Sequence, residues 1–131
     1  MNTYIGIDLG TSSVKLLLIN PDGKILNTAK REYPVYYPKS GYSEQNPEDW
    51  LNQTLDGLTE LLDGFNREDV KGLSVGGQMH GLVALDSRDR VIRPAILWNS
   101  SSTTLKRDLG LSKQLKDVAT RKRWLGCTLG T

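Results

Sequence analysis

The chain has 131 residues, of which 24% are charged and 37% hydrophobic, and its formal net charge is +2. This length suits one domain with a hydrophobic core, and the composition is that of a soluble globular protein. A single cysteine, Cys127, excludes an internal disulfide and a cysteine-cluster metal site. Because Asp8 and Lys15 interrupt the first apolar stretch, we expect neither a signal peptide nor a membrane span, and a cytoplasmic location is the default.

The charge is divided unevenly along the chain. Residues 1–99 contain 10 Lys and Arg against 13 Asp and Glu, whereas residues 100–131 contain 7 against 2. This shift in composition predicts a domain over residues 1–99 and an atypical basic tail over residues 100–131.

The first thirty-odd residues predict a three-stranded antiparallel meander. The run "YIGIDL" is rich in strand formers, and the turn cluster "GTSS" follows it. Residues 14–19 and 25–33 continue the extended pattern, with "NPDGK" between them. In that turn we expect Pro21 to preset φ, Asp22 to bond its own backbone and Gly23 to take a positive φ.

The stretch "NPED", residues 46–49, predicts the start of a helix. Asn46 suits the N-cap, Pro47 suits the first helical position, and two acids follow at the positive end of the helix dipole. Apolar residues then recur at spacings of three and four, which predicts one apolar helix face composed of Leu51, Leu55, Leu58, Leu62 and Phe65. Asp63-Gly64 is expected to end the helix.

Further extended segments follow the helix. We predict a strand over residues 70–75 that ends at Gly76-Gly77, a strand over residues 82–85, and an extended apolar run over residues 94–98. A meander, a helix and then a strand predict an α/β fold with a mixed sheet, because the strand after a helical crossover pairs in parallel. Trp98, at the end of the last run, is expected to pack in the core.

The turn "GTSS", residues 10–13, is the first candidate for chemistry. It offers successive backbone N–H groups and hydroxyls to an anion, and Lys15 adds a positive charge. It is not a Walker A loop, because no glycine precedes the lysine and no helix follows. A plain hairpin with a polar turn in water explains these residues equally well.

Asp8, at the end of the first strand, requires a partner or an open position, because an unpaired buried carboxylate costs several kcal/mol.

The whole pattern of strand, Asp8, Gly-Thr-Ser-Ser, Lys15 and strand resembles the first phosphate motif of the sugar kinase, heat-shock protein and actin ATPase superfamily. The resemblance implies a partial ribonuclease H-like, actin-like ATPase domain. It also implies that Asp8 faces the transferring phosphoryl group and a water-bridged Mg²⁺ ion. The residues that it assigns to the phosphates of ATP are Gly10, Thr11, Ser12, Ser13 and Lys15.

Three further segments, "GYSEQNPEDW" (41–50), "GGQMHG" (76–81) and "RPAILWN" (93–99), narrow the family. With the hairpin they resemble the N-terminal part of the xylulose kinases of the FGGY carbohydrate kinase family. Glycerol kinases of the same family carry Arg-Glu at the positions of Met79 and His80. The resemblance implies D-xylulose as the sugar and Met79 and His80 as substrate-binding residues. A histidine can donate and accept hydrogen bonds, and a methionine offers a soft apolar wall. A lone histidine is more often structural, but two glycines before His80 and one after it indicate a close approach by another group and favour binding.

The chain also departs from the family pattern. Ser100 and Ser102 stand where the family has Asp and Arg, and nothing beyond Thr103 is recognisable. The family's second domain, with the adenine pocket and the general base, has no counterpart in this sequence. We therefore expect the N-terminal part of an ATP-dependent kinase that converts D-xylulose to D-xylulose 5-phosphate, and we expect this chain alone to be inactive.

Two other functions are compatible with parts of the sequence. A stand-alone actin-like ATPase domain would explain the hairpin, but the Met-His-Gly turn argues against it. A non-catalytic binding module would use the basic tail to contact nucleic acid or an acidic membrane, but a solvated basic tail is the simpler explanation. We therefore expect a sugar and ATP as partners, rather than a membrane or a nucleic acid, and a homodimer is left open.

Overall fold

The structure is a computed structural model that describes residues 1–79 and 81–101. In chain order its strands are β1 (Thr3–Leu9), β2 (Ser13–Ile19), β3 (Ile25–Glu32), β4 (Glu44–Gln45), β5 (Val70–Gly77) and β6 (Ala95–Ile96), with helix α1 (Pro47–Leu61) between β4 and β5. A short 3-10 helix, Arg67–Asp69, precedes β5. No helix among the described residues is long and apolar enough to cross a membrane.

The described residues form two compact units. The first consists of Met1–Pro34 and Pro47–Gln78, and the second contains Val35–Asn46 and the described residues that follow Gln78. These units do not test the predicted domain boundary at residue 99, which stays a prediction.

A four-stranded mixed sheet in the order β3-β2-β1-β5 forms the first unit. β1, β2 and β3 are antiparallel neighbours, and β5 pairs with β1 in parallel. The predicted meander, the parallel crossover strand and the α/β class are therefore confirmed.

The turn between β2 and β3 has the predicted positive φ, which is +80° at Gly23. The side chain that accepts backbone hydrogen bonds in this turn belongs to Asn20 and not, as predicted, to Asp22. The Asn20 side-chain oxygen accepts from the N–H groups of Asp22 at 3.1 Å and Lys24 at 2.8 Å. Asn20, one residue before Pro21, is the residue that can reach both of these N–H groups, so the predicted role of Asp22 is wrong.

Strand residues alternate between two faces of the sheet. We define the packed face by five apolar residues that are almost fully buried and belong to the main hydrophobic core: Ile5, Ile7, Val14, Leu16 and Leu18. Helix α1 covers this face over β2 and β3. Full burial of one such side chain contributes about 1.5–3 kcal/mol, so the packed face is the main source of stability in this unit.

Helix α1 begins at Pro47 as predicted, and Gly64 with φ +78° follows its end. Its apolar face was predicted incorrectly in part. Leu58, Leu62 and Phe65 pack against the core, but Leu51 and Leu55 are 53% and 52% exposed.

The position of the helix on the sheet explains this difference. Gly57 and Leu61 are the buried residues of α1, and a Cβ atom added to Gly57 would lie 2.6 Å from Leu16 Cδ1. The missing side chain lets the helix backbone approach β2. The contact stripe therefore passes through Gly57 and Leu61, and Leu51 and Leu55 lie outside it.

The second unit is organised around the antiparallel pair β4 and β6. The predicted run over residues 94–98 contains β6 and buries Ala95, Ile96 and Leu97. The predicted strand over residues 82–85 is wrong, because this segment makes only isolated bridges, from Leu82 to Ile96 and from Leu85 to Val91. Core packing of Trp98 is also wrong, since its side chain is 56% exposed.

Candidate active site

The turn Gly10–Ser13, here called the phosphate turn, connects β1 to β2. The Gly10 N–H donates to the Ser13 carbonyl oxygen at 2.9 Å and closes the turn. A Cβ atom on Gly10 would lie 3.0 Å from that oxygen, which is tighter than ordinary van der Waals contact. Glycine at this position therefore lets the turn close tightly.

Asp8 lies on the face of the sheet opposite α1, one residue before the end of β1, and it is exposed. In the strand register Asp8 pairs with Lys15 of β2 and Gly76 of β5, and Lys15 pairs with Lys30 of β3. Register partners point to the same side of a sheet, so these four residues form one row across all four strands. We call this side the open face. The carboxylate of Asp8 is exposed there, so it avoids the cost of burial in the core.

The row lies along an open hollow of about 780 Å³, whose lining includes Asp8, Lys15, Lys30, Ser74 and Gly76. Within the part of the chain that the structure describes, neither Asp8 nor Lys15 forms an ion pair. Lys30 pairs with Glu32 at 3.2 Å, and both side chains are exposed. The charges of Asp8 and Lys15 are thus available to a ligand beside the phosphate turn.

Tyr33 supports the phosphate turn from the side of β3. Its hydroxyl donates to the Gly10 carbonyl oxygen, and its N–H donates to the Ser12 carbonyl oxygen at 3.2 Å. Burial of the side chain, which is 5% exposed, and the nearby charge of Asp8 raise the pKa of Tyr33 to about 12. The hydroxyl is therefore protonated near neutral pH and remains a hydrogen-bond donor.

Gln78 supports the same region from the side of β5. Its N–H donates to the Leu9 carbonyl oxygen at 2.9 Å, and its side-chain oxygen accepts from the Thr11 hydroxyl at 3.3 Å. A Cβ atom on Gly77 would lie 3.0 Å from Leu9, so the glycine permits this close approach of β5 to β1. The end of β5 is thereby fixed against the start of the turn.

Sequence reasoning missed the roles of Tyr33, Gln78 and Lys30. The only local signal was the glycine pair before Gln78, which indicated a close approach by some other group. The tyrosine is 20 residues or more away from the turn that it contacts, and nothing in the pattern around it indicates that contact.

The described residues contain no group of three or more His, Cys, Asp or Glu side chains that could hold a metal ion. Asp8 is a single exposed carboxylate. Mg²⁺ is commonly bound by one or two carboxylates together with substrate phosphates and water. Asp8 therefore fits a metal ion that arrives with a phosphate ligand, and does not by itself form a metal site.

The structure brings together Asp8, the phosphate turn and Lys15, all in the first unit. Met79, predicted to bind the sugar, belongs to the second unit and is exposed. His80 lies outside the described residues, and so does the tail from residue 102 onward. The predicted roles of all these residues stay predictions.

Comparisons with known proteins identify relatives of this chain. The profile of the FGGY family of carbohydrate kinases, N-terminal domain, matches residues 3–125. The chain is 52% identical to a xylulose kinase of Bacillus subtilis over 79% of its own length and 21% of that protein. It is 44% identical to a xylulose kinase of Staphylococcus xylosus, covering 88% of this chain and 25% of that one.

Solved structures show the same fold. A crystal structure described as a xyloylose kinase from Brucella ovis matches with a TM-score of 0.74 at 36% identity, covering 88% of this chain and 25% of that chain. The sequence therefore spans between a fifth and a quarter of the length of these relatives.

Proposed function

The chain belongs to the FGGY family of carbohydrate kinases, whose N-terminal domain profile it matches, and on this premise we propose that it forms the N-terminal part of an ATP-dependent kinase that phosphorylates D-xylulose to D-xylulose 5-phosphate. The observation that carries the proposal is the position of Asp8. Its exposed carboxylate lies beside Lys15 and two residues before the start of the phosphate turn.

In this proposal the phosphate turn binds the phosphates of ATP. Thr11, Ser12 and Ser13 offer backbone N–H groups and hydroxyls, Gly10 lets the turn close around its own N–H bond to Ser13, and Lys15 provides a positive charge on the open face. Phosphoryl transfer depends mainly on positioning and on stabilising charge. A tight turn held by Tyr33 and Gln78 is suited to this task, because donors fixed in advance require little reorganisation when the phosphate charge develops.

Asp8 would hold Mg²⁺ through bridging water, and bound Mg²⁺ neutralises phosphate charge. Asp8 and Lys15 have separate roles in this scheme. The carboxylate supports the cation, whereas the ammonium group contacts phosphate oxygens directly.

We assign the sugar contacts to Met79 and His80. The xylulose kinases of Bacillus subtilis and Staphylococcus xylosus support the choice of D-xylulose. The exposed Met79 side chain is suited to the apolar side of a sugar, and an imidazole can donate and accept hydrogen bonds. Since ATP is the donor, we propose the cytoplasm as the location. A homodimer is not required by this proposal.

The isolated chain is proposed to be inactive. Transfer requires an acceptor for the hydroxyl proton, and we place that group in the part of the relatives that this sequence does not cover. A single turn would also have to offset the several kcal/mol of freedom that ATP loses on binding. We therefore assign activity to a complete kinase that contains this segment.

The test uses such a complete kinase. We expect Asp8→Asn to lower kcat about 100-fold or more, as removal of a transition-state electrostatic contact does, and to leave KM for xylulose within about twofold. The readout is ADP release in a coupled assay, with thermal melting to verify folding.

His80→Ala is the matched comparison in the same assay. It should lower kcat/KM for xylulose by a factor that corresponds to about 1–3 kcal/mol of transition-state stabilisation, and it should leave KM for ATP unchanged. Normal turnover in a folded Asp8→Asn enzyme would refute the proposed role of Asp8 in phosphoryl transfer.

A further inference from the structure

Tyr33 makes two contacts with alternate carbonyl groups of the phosphate turn. The hydroxyl donates to the Gly10 carbonyl oxygen, and the N–H donates to the Ser12 carbonyl oxygen. All described peptide bonds are trans, and in a trans peptide the C=O and the following N–H point in opposite directions. The N–H groups of Thr11 and Ser13 therefore point away from Tyr33.

The Tyr33 ring is fixed independently of the turn. It belongs to the main hydrophobic core of the first unit, together with Ile7, Val14 and Leu16 of the packed face. A tyrosine has only two side-chain torsions, and packing of the ring restricts both. The position of the hydroxyl is thus set by the core, and the turn adapts to the hydroxyl.

From this geometry we propose that Tyr33 is a positioning residue that orients the backbone N–H groups of the phosphate turn toward the phosphates of ATP. The inference rests on the proposed function of the turn, since Tyr33 acts through the turn and does not itself touch the nucleotide. It extends the site to a residue that follows β3. Strand β3 is at the opposite edge of the sheet from β5, which Gln78 follows.

The charge of Asp8 supports the same interpretation. Asp8 contributes to the raised pKa of Tyr33, so the two groups interact electrostatically. Burial of the ring and, as a smaller contribution, repulsion between the carboxylate and a phenolate raise the pKa of the Tyr33 hydroxyl. Tyr33 therefore remains a donor to Gly10 throughout the physiological pH range.

The decisive variant is Tyr33→Phe in a complete kinase that contains this segment, because it removes the hydroxyl and keeps the ring in the core. Loss of this one hydrogen bond should raise KM for ATP roughly three- to tenfold. KM for xylulose should stay within about twofold. Both constants are measured by coupled ADP release, and thermal melting verifies that the variant is folded.

Tyr4→Phe is the matched control. Tyr4 lies near the other end of β1, and its hydroxyl forms no hydrogen bond with the residues that the structure describes. This variant should leave KM for ATP unchanged. A merely structural role of Tyr33 would reduce the amount of active enzyme, which lowers apparent kcat and leaves both KM values as they were.

Asp8→Asn, assayed alongside, separates the two proposals. If Asp8→Asn loses turnover and Tyr33→Phe keeps a normal KM for ATP, the inference about Tyr33 is overturned and the proposed function stands. If Asp8→Asn keeps normal turnover, the proposed function fails, and the positioning role of Tyr33 fails with it.

Discussion

The packed face and the open face of the four-stranded sheet are formed by alternate residues of the same strands, yet their chemistry is opposite. On β1 the packed face contains Ile5 and Ile7, which are buried, and the open face contains Asp8, which is exposed. On β2 Leu16 is buried on one side, and Lys15 is exposed on the other. A change of one position along a strand exchanges a core contact for a ligand-accessible charge.

The difference shows how a small domain separates stability from function. Successive strand residues point to opposite sides, so we expect substitutions on one side to affect packing and those on the other to affect the proposed binding of ATP. Tyr33 is the exception, because its ring lies in the core and its hydroxyl contacts the phosphate turn. The two sides are therefore independent except at the residues that link them.

The largest expected effect tests the packed face by comparing two neighbouring leucines. Leu18 is 0% exposed, and Leu17, on the open face, is 36% exposed. Leu18→Ala should lower the free energy of unfolding by about 2–5 kcal/mol, because it leaves a cavity in the core. Leu17→Ala should cost less than about 1 kcal/mol. Urea unfolding of the chain, followed by circular dichroism, measures both. Equal losses would show that the two faces are not distinct.

A smaller effect, on pH dependence, concerns Tyr33. Its pKa is about 12 in the folded chain and about 10 when unfolded. Between these values the unfolded state loses a proton that the folded state keeps, so stability falls as pH rises from about 10 to about 12. The loss approaches about 2–3 kcal/mol, since each pKa unit corresponds to about 1.4 kcal/mol.

The measurement is urea unfolding at pH 9 and at pH 11, in wild type and in Tyr33→Phe. Subtracting the variant removes the contributions of the other tyrosines and of the lysines. Wild type should lose more stability than Tyr33→Phe between the two pH values. An identical pH dependence would mean that the Tyr33 hydroxyl is not held as described.

The smallest expected effect compares two glycines. A Cβ atom on Gly57 of α1 would lie 2.6 Å from Leu16 Cδ1, whereas one on Gly76 of the open face would meet nothing within 4 Å. Gly57→Ala should therefore destabilise the chain by about 1–2 kcal/mol through overpacking, even though alanine favours helix formation by about 1 kcal/mol. Gly76→Ala should change stability by less than about 0.5 kcal/mol. Thermal unfolding compares them. A stabilised Gly57→Ala variant would show that the helix can move away from β2 at little cost.

The sequence by itself determined the local elements and the family. Strand periodicity and turn residues such as Gly23 predicted the meander, and Pro47 marked the start of the helix. These signals involve residues a few positions apart, so short-range sterics and hydrogen bonding are enough to encode them. The motifs around Asp8 and Met79-His80 were also sufficient to indicate the family, because their residues are contiguous.

Only the tertiary structure decided which side of the helix is buried and which residues support the turn. The spacing of apolar residues favoured Leu51 and Leu55 over Gly57, because glycine has no apolar side chain to contribute to the pattern. The close approach of α1 to Leu16 made Gly57 the contact point. The hydrogen bonds of Tyr33 and Gln78 to the region of the turn, and the alignment of Lys30 with Asp8, depend on strand register between segments far apart in the chain. Turn geometry and apolar alternation constrain the register of neighbouring strands, but the contacts between side chains of distant segments follow only from the assembled sheet.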